Sequence, residues 1–447
     1  MAMTGMEIYK NLPKTNCKEC GFPTCLAFAM QVAAKQKALS DCPQLSEEAQ
    51  AAFSEASAPP MKLVHIGPPG EAGADIGQET VMFRHEEKFY NHPILAAKVP
   101  ASLSDADARA RMDRINQAVF TRVGEEISVG MAAVEIEGMS AEAATARAAA
   151  MADGSRVPLM LIGSDPAVMG AAAAPMAANR PLIYRATGDN AEAMIKVAAD
   201  NKCPLAVAAG DLEALADLAK AAKDAGVEDL VLSFDGRDTA NGVRNITIAR
   251  RAALRKGFRT LGFPSMVDVA CDDPTSETVL ATTFIAKYAG IVIINGLDGG
   301  ELIPLLTAVQ NIYTDPQVPN TVEAKLYEVG PVSEDSPVMF TTNFALTYFS
   351  VEGEVERSKV PCYISVVDTE GLGVLNAYAG DKISVEKVTK TLEAQAVAGK
   401  VKHRKLIIPG LLPSFRAEIE DTSEWKQVLI GPENATGIPR FLAESWS

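Results

Sequence analysis

The spacing of apolar residues along this chain changes near residue 80. Before it, apolar positions recur every three or four residues. TCLAFAMQVAAKQKAL (24–39) reads as an amphipathic helix, and SEEAQAAFSEA (46–56) as a second one with Ser46 as its N-cap. Beyond it, short apolar runs alternate with helical stretches. The runs are TVMFR (80–84), SVGMAAVE (128–135), PLMLIG (158–163), PLIYRAT (181–187), PLAVAA (204–209), DLVLSF (229–234), TLGFPSMV (260–267) and GIVIIN (290–295). The helical stretches between them include ADARARMDRINQAVFTRV (106–123) and GVRNITIARRAALRKG (242–257). Strands that are apolar throughout, joined by helical crossovers, predict a parallel sheet covered on its faces. Eight such repeats over about 230 residues fit a TIM (β/α)8 barrel better than an open sheet.

A second α/β set begins near residue 320. SPVMFTT, PCYISVVDT, KLIIPG and KQVLIG are strand-like, with helical NFALTYFSVEGEVERS and ISVEKVTKTLEAQAVAG among them. The pattern predicts an α/β chain in four parts. These are a small helical module (1–57), a linker and barrel entry (58–92) with the stiff Ala58-Pro59-Pro60, a barrel (93–315), and a doubly wound Rossmann-like domain (320–447).

Composition narrows the function classes. A formal charge of -15 would repel a polyanion, so no nucleic-acid partner is expected. No apolar run approaches the roughly 20 residues of a membrane span. The first residues lack the basic-then-apolar order of a secretory signal. Seven cysteines, an odd number, argue against a disulfide framework. The expected location is the cytoplasm.

Four of those cysteines crowd into the helical module. NCKECGFPTC and the later DCP place Cys17, Cys20, Cys25 and Cys42 in a C-x2-C-x4-C-x16-C spacing, with Pro43 directly after the last. Thiolates select soft metals, which leaves zinc and iron–sulfur clusters. Structural zinc sites use two separated cysteine pairs. Three close cysteines and a remote Cys-Pro suit a 4Fe–4S cluster better, with a zinc knuckle as the competing reading. Such a centre would also hold together a module with a thin apolar core. Cys203, Cys271 and Cys362 read as small buried hydrophobes.

Other candidates are weaker. His65, His85, His92 and His403 form no metal-ligand pair. DTEGLGVLNAYAG (368–380) puts glycines at the carboxyl end of a strand, where a backbone can approach a large ligand. A dinucleotide fingerprint would need a third glycine where Asn376 stands. DGGEL (298–302) and FDGRD (234–238) end barrel strands and read either as anion loops or as ordinary turns.

The combination NCKECGFPTCLAFA, DCP, an alanine-rich barrel, then SPVMFTTNFALTYFSVEGEVE and DTEGLGVLNAYAG resembles the large subunit family of the corrinoid iron–sulfur protein. The resemblance covers nearly the whole chain, and its C-terminal stretches are more specific than its cysteine motif. It implies an N-terminal 4Fe–4S domain, a TIM barrel and a Rossmann-like domain binding a base-off cobamide with no protein histidine on cobalt. The D-x-H-x-x-G motif that supplies such a histidine elsewhere is absent. Carried over, Cys17, Cys20, Cys25 and Cys42 match the cluster ligands. The cobamide contacts fall on Thr341, Thr342, Leu346, Glu370, Gly371, Leu372 and Gly373, and near Pro409–Gly410 and Asn434–Ala435.

The resemblance also implies a role in the reductive acetyl-CoA pathway, as one component of a methyltransferase system. Co(I) takes a methyl group from methyltetrahydrofolate on a separate methyltransferase and passes it to acetyl-CoA synthase/CO dehydrogenase. The cluster returns oxidised Co(II) with one electron from a low-potential donor. The implied partner is a smaller TIM-barrel subunit forming a heterodimer. The alternative is an iron–sulfur oxidoreductase with an organic substrate bound in the barrel.

Overall fold

The structure is a computed structural model that describes residues 5–33, 36–37, 39–46, 59–70 and 73–446. The expected helix following Ser46, and Ala58 of the linker, lie outside these residues. The chain folds into two compact units. One comprises Met1–Met82, Pro93–Arg109 and Met131–Asn295; the other comprises Phe83–His92, Ala110–Gly130 and Gly296–Ser447.

Strands of the first unit's barrel are short and nearly all buried. In chain order the first twelve strands are β1 (Leu63–Ile66), β2 (Ala74–Gly77), β3 (Ile94–Val99), β4 (Val119–Arg122), β5 (Glu125–Ser128), β6 (Met131–Glu135), β7 (Leu159–Ile162), β8 (Leu182–Ala186), β9 (Leu205–Val207), β10 (Leu230–Phe234), β11 (Ser265–Asp268) and β12 (Ala289–Ile294). β3 and β6 to β12 close into an eight-stranded parallel barrel, as the apolar runs predict. Alternate residues fill its interior, among them Ala96, Met131, Met160, Leu182, Val231, Met266 and Ile291. Ser140, Asp165, Asp211, Asp238 and Asp273 cap the helices that follow the strands, each accepting backbone N–H groups of the first turn.

Three sequence expectations are corrected. TVMFR (80–84) is not a strand; the first barrel strand is β3. Val81 gives its carbonyl to the Arg250 guanidinium at 2.6 Å instead of to a ladder, beside a buried Arg250–Glu79 ion pair of 3.1 Å. The helix expected over 106–123 ends at Gln117, and the chain then forms the antiparallel hairpin β4–β5. SVGMAAVE divides accordingly between the end of β5 and β6. Hairpin residues alternate little and stay half exposed, so they lack the period that marks a strand.

The apolar pattern does not announce the antiparallel pair β1–β2. Val64, Ile66 and Ile76 pack into the barrel interior from its amino end, where Lys62 and Gly67 donate backbone bonds to Gly262 and Arg180. His65 of β1 contacts the Pro68 carbonyl through Nε2 at 2.9 Å and the Asp75 carboxylate through Nδ1 at 2.7 Å. The Pro68 carbonyl first, then Asp75, raise its pKa against the opposing effects of burial and Arg180. A histidine whose folded pKa is raised stabilises fully below its unfolded value of about 6.5 and loses that as pH rises through the folded pKa. The hairpin should therefore be tighter in mild acid, by up to about 1 kcal/mol. His65→Gln should flatten the melting temperature against pH between about 6 and 8; an unchanged slope would contradict this.

Within the linker, the Pro59 carbonyl accepts from Arg259 Nη1 at 2.6 Å.

In the second unit, β13 (Leu326–Val329), β14 (Val338–Thr342), β15 (Cys362–Val367), β16 (Lys405–Ile408) and β17 (Gln427–Ile430) form one sheet in the order β13-β15-β14-β16-β17. The four expected strands are parallel, and β13 adds an antiparallel edge. Phe340, Val367, Leu406 and Ile408 face one apolar layer with Trp425. Met339, Ile364, Val366 and Ile407 face the other with Tyr348 and Leu442. The tip of the β4–β5 hairpin belongs here too, since a Cβ on Gly124 would lie 2.2 Å from the Phe349 ring. Among the described residues no helix is long and apolar enough to cross a membrane.

Candidate functional site

Two regions gather the residues singled out in the sequence. The first is the cysteine module. Helices Gly5–Asn11 and Cys25–Ala33 bury Ile8, Leu12, Phe28, Ala29 and Val32 together with Cys25 and Cys42. Cys25 opens its helix, donating its N–H to Asn16 Oδ1 at 2.8 Å while Asn16 N–H points at its sulfur at 3.4 Å. The intervening loop turns tightly: Asn16, Lys18 and Gly21 all have left-handed φ angles. Cys17 is exposed and Cys20 half-buried.

Burial pushes the Cys42 thiol up; a Gln44 backbone bond opposes this, and Cys20, Cys25 and Cys17 add to the rise by charge. All four thiols thus share one electrostatic neighbourhood at the edge of a small core. Among the described residues no three His, Cys, Asp or Glu side chains are close enough to hold a single metal ion as they stand. A donor set of four thiols, two buried and two reaching solvent, fits a soft metal centre. Cys203 and Cys362 are buried as expected, burial pushing the Cys203 thiol up to about 11 and raising Cys362 as well, whereas Cys271 is only half-buried and its thiol donates to the Asp273 carbonyl at 3.4 Å.

The second region lies at the carboxyl ends of the C-terminal strands. From β14 the chain passes to β15 on one side, then to β16 on the other, so the sheet order reverses between β14 and β16. Open parallel sheets bind ligands at such a switch point. A cavity of about 290 Å³ lies there. Thr341, Leu346, Asn434 and Ala435 line it, as does Pro409. Gly410 sits between the lining residues Pro409 and Leu411.

The remaining expected contacts are placed differently. Thr342 is fully buried and its Oγ1 has no hydrogen-bond partner among the described residues. Glu370, Gly371, Leu372 and Gly373 form the loop after β15 and do not line the cavity. That loop flanks it: a Cβ on Gly373 would be 3.5 Å from Thr347, which lines the cavity, as does Val374. Glu370 is exposed and pairs with Lys382 at 2.7 Å. Sequence reasoning missed Thr347, Ser350 and Val351, although their three- and four-residue spacing from Leu346 and Thr347 marks one face of helix Ala345–Ser358. None of the four histidines lines the cavity.

The barrel's carboxyl end is polar. Lys98 and Glu135 pair at 2.9 Å, and burial raises the Asp268 pKa against an Ala270 N–H and the charges of Lys98, Arg237 and Arg185. FDGRD spends its carboxylates on its own turn, Asp235 on Arg237 N–H at 2.7 Å and Asp238 on Asn241 N–H at 3.1 Å. In DGGEL, Asp298 precedes helix Gly299–Tyr313 and pairs with Arg114 at 2.8 Å.

Comparison with known proteins covers both regions. Residues 63–442 match the family described as CO dehydrogenase/acetyl-CoA synthase delta subunit, and residues 12–44 the family described as a putative Fe–S cluster. The chain is 42% identical over 441 residues to the corrinoid/iron-sulfur protein large subunit of Moorella thermoacetica, covering 99% of this chain and 98% of that one. It is 34% identical to the acetyl-CoA decarbonylase/synthase complex subunit gamma of Methanothermobacter thermautotrophicus, covering 99% of both chains. The corresponding subunit of Methanopyrus kandleri is 35% identical, covering 98% of this chain and 97% of that one. The cysteine module, the barrel and the C-terminal sheet all lie within these matches, and the chain belongs to the family of corrinoid/iron–sulfur protein large subunits.

Proposed function

We propose that this chain is a methyl-group carrier of the acetyl-CoA pathway, holding a cobamide on its C-terminal sheet and a 4Fe–4S cluster on Cys17, Cys20, Cys25 and Cys42. One observation carries the reading: the cavity at the β14/β16 switch point, lined by Thr341, Leu346, Pro409, Asn434 and Ala435 of the residues that the family resemblance singles out. Ligand pockets commonly measure ~300–1,000 Å³, so about 290 Å³ suits part of a large cofactor rather than all of it. Its apolar walls, Leu346, Val351, Ile407, Leu411 and Phe441, suit the heterocyclic tail of a base-off cobamide.

When bound, these groups supply a cobalt centre that accepts and releases a methyl group and an iron–sulfur centre that transfers single electrons. The chain's own residues bind and orient. Thr341 and the 409–411 and 431–435 loops shape the walls, and exposed Leu346, Leu375 and Tyr378 offer apolar surface nearby. As a heterodimer with a smaller subunit, the chain would present this site to a methyltransferase holding methyltetrahydrofolate and to acetyl-CoA synthase. A low-potential donor would reduce the cluster.

The polar barrel end, with Lys98, Glu135 and Asp268, is the observation that favours the oxidoreductase alternative. Metal content and absorption spectra of anaerobically purified chain separate the two. Cobalt together with iron, and a corrinoid spectrum, is expected; iron without cobalt would overturn the proposal.

A further inference from the structure

The loop after β15 is built around one side chain that the functional reading does not use. Asn343, directly after β14, is 6% exposed. Its Oδ1 accepts the N–H groups of Thr369 at 2.9 Å and Gly371 at 3.0 Å. Its Nδ2 donates to Asp368 Oδ1 at 2.9 Å, and the same oxygen accepts Glu370 N–H at 2.9 Å. The Asn343 backbone is engaged as well, its N–H with Val367 and its carbonyl with Val322. The Thr369 hydroxyl, 3.0 Å from Asn343 Oδ1, has only one proton and lies nearer the Leu372 carbonyl at 2.7 Å.

This loop needs such a hold. Glu370 and Gly371 are consecutive left-handed residues, with φ of 58° and 77°. A glutamate adopts that conformation only when its surroundings impose it. A Cβ on Gly371 would come within 2.8 Å of Pro319 and Thr321, so the loop cannot relax toward that segment. Asn343 does not line the cavity; its effect reaches the cavity through Gly373, which packs on Thr347, and through Val374.

We infer that Asn343 is a positioning residue for the corrinoid: its amide holds residues 368–373 in their binding shape before the cofactor arrives. Affinity then depends on a side chain outside the cavity, through preorganisation. The inference rests on the corrinoid reading above.

The Asn343–Asp368 pair supplies its own control. Asn343→Ala strands two buried N–H groups and takes one of two donors from the Asp368 oxygen. Asn343→Asp keeps an acceptor but sets two carboxylates against each other. The exchange Asn343→Asp with Asp368→Asn keeps the acceptor for both N–H groups and removes the carboxylate repulsion; because one Asp368 oxygen serves both Asn343 Nδ2 and Glu370 N–H, the amide makes only one of those two bonds.

Full-length chain, freed of corrinoid under anaerobic conditions, would be titrated with hydroxocobalamin, with iron content and melting temperature followed in parallel. Each single variant should bind at least about tenfold more weakly at unchanged iron content, and the exchange should regain most of what Asn343→Asp loses to the facing carboxylates. A single variant as tight as the unaltered chain would overturn the inference. So would an exchange variant no tighter than Asn343→Asp. Should the single variants fail to fold, the exchange decides alone: it lacks one bond, so a folded exchange variant bound more than about a hundredfold below the unaltered chain overturns the inference. Failure of the unaltered chain to bind would instead defeat the corrinoid reading itself.

Discussion

The substitution Gly410→Ala is expected to strip the chain of cobalt while leaving it folded. A Cβ at this position would lie 2.5 Å from the Gly431 carbonyl oxygen, 2.6 Å from Glu433 N and 2.6 Å from the Pro432 carbonyl carbon. All three are backbone atoms, so no side chain can swing aside. Gly410 N–H also bonds the Pro432 carbonyl at 3.2 Å, tying the loops after β16 and β17 together. The added methyl must push the 431–435 loop away, and Asn434 and Ala435 line the cavity. Overpacking of this kind costs about 1–3 kcal/mol. The buried layers around Phe340, Leu406 and Trp425 lie deeper in the sheet and should keep it folded. Cobalt per chain should fall at least about tenfold with only a modest drop in melting temperature. Full cobalt content in this variant would place the corrinoid elsewhere.

Cys42→Ser should remove the iron and leave the cobalt. A hydroxyl is a poor substitute for a thiolate toward a soft metal. Cys42 also belongs to the core of its module, beside Phe28, Ala29 and Leu39. So few buried side chains cannot hold a module together without the centre they surround. The C-terminal sheet has separate cores of its own and does not depend on this one. Cys203→Ser is the control, since that thiol is buried with its pKa at about 11 and is not gathered with the others. Iron and cobalt are read together from the same anaerobic preparations. Loss of cobalt alongside iron in Cys42→Ser would show the two sites to be coupled, and retained iron would remove Cys42 from the ligand set.

What could be read from the sequence depended on how local each signal was. Strands buried on both faces are almost wholly apolar, so β7, β10 and β12 were legible directly. β3 was masked by its two alanines and Lys98, and TVMFR took its place because an Arg250 side chain, not a ladder, satisfies Val81. β13 and the β4–β5 hairpin are half exposed, and no period betrays them. The cysteines were legible because three of the four are packed into nine residues. The cavity was legible only as strand-end loops. Its helix face, Thr347 to Val351, and the buried Asn343 depend on strands and loops far apart in the chain meeting in space. Thr342 shows the converse, a residue adjacent in sequence to a lining position that points away from it.

The location of cobalt can be measured directly by anomalous diffraction at the cobalt edge, on crystals of the full chain carrying its corrinoid. A single cobalt peak is expected outside the carboxyl ends of β14 and β16, facing the loops that hold Thr341, Pro409 and Asn434. A peak at the polar end of the barrel, near Lys98, Glu135 and Asp268, would contradict it.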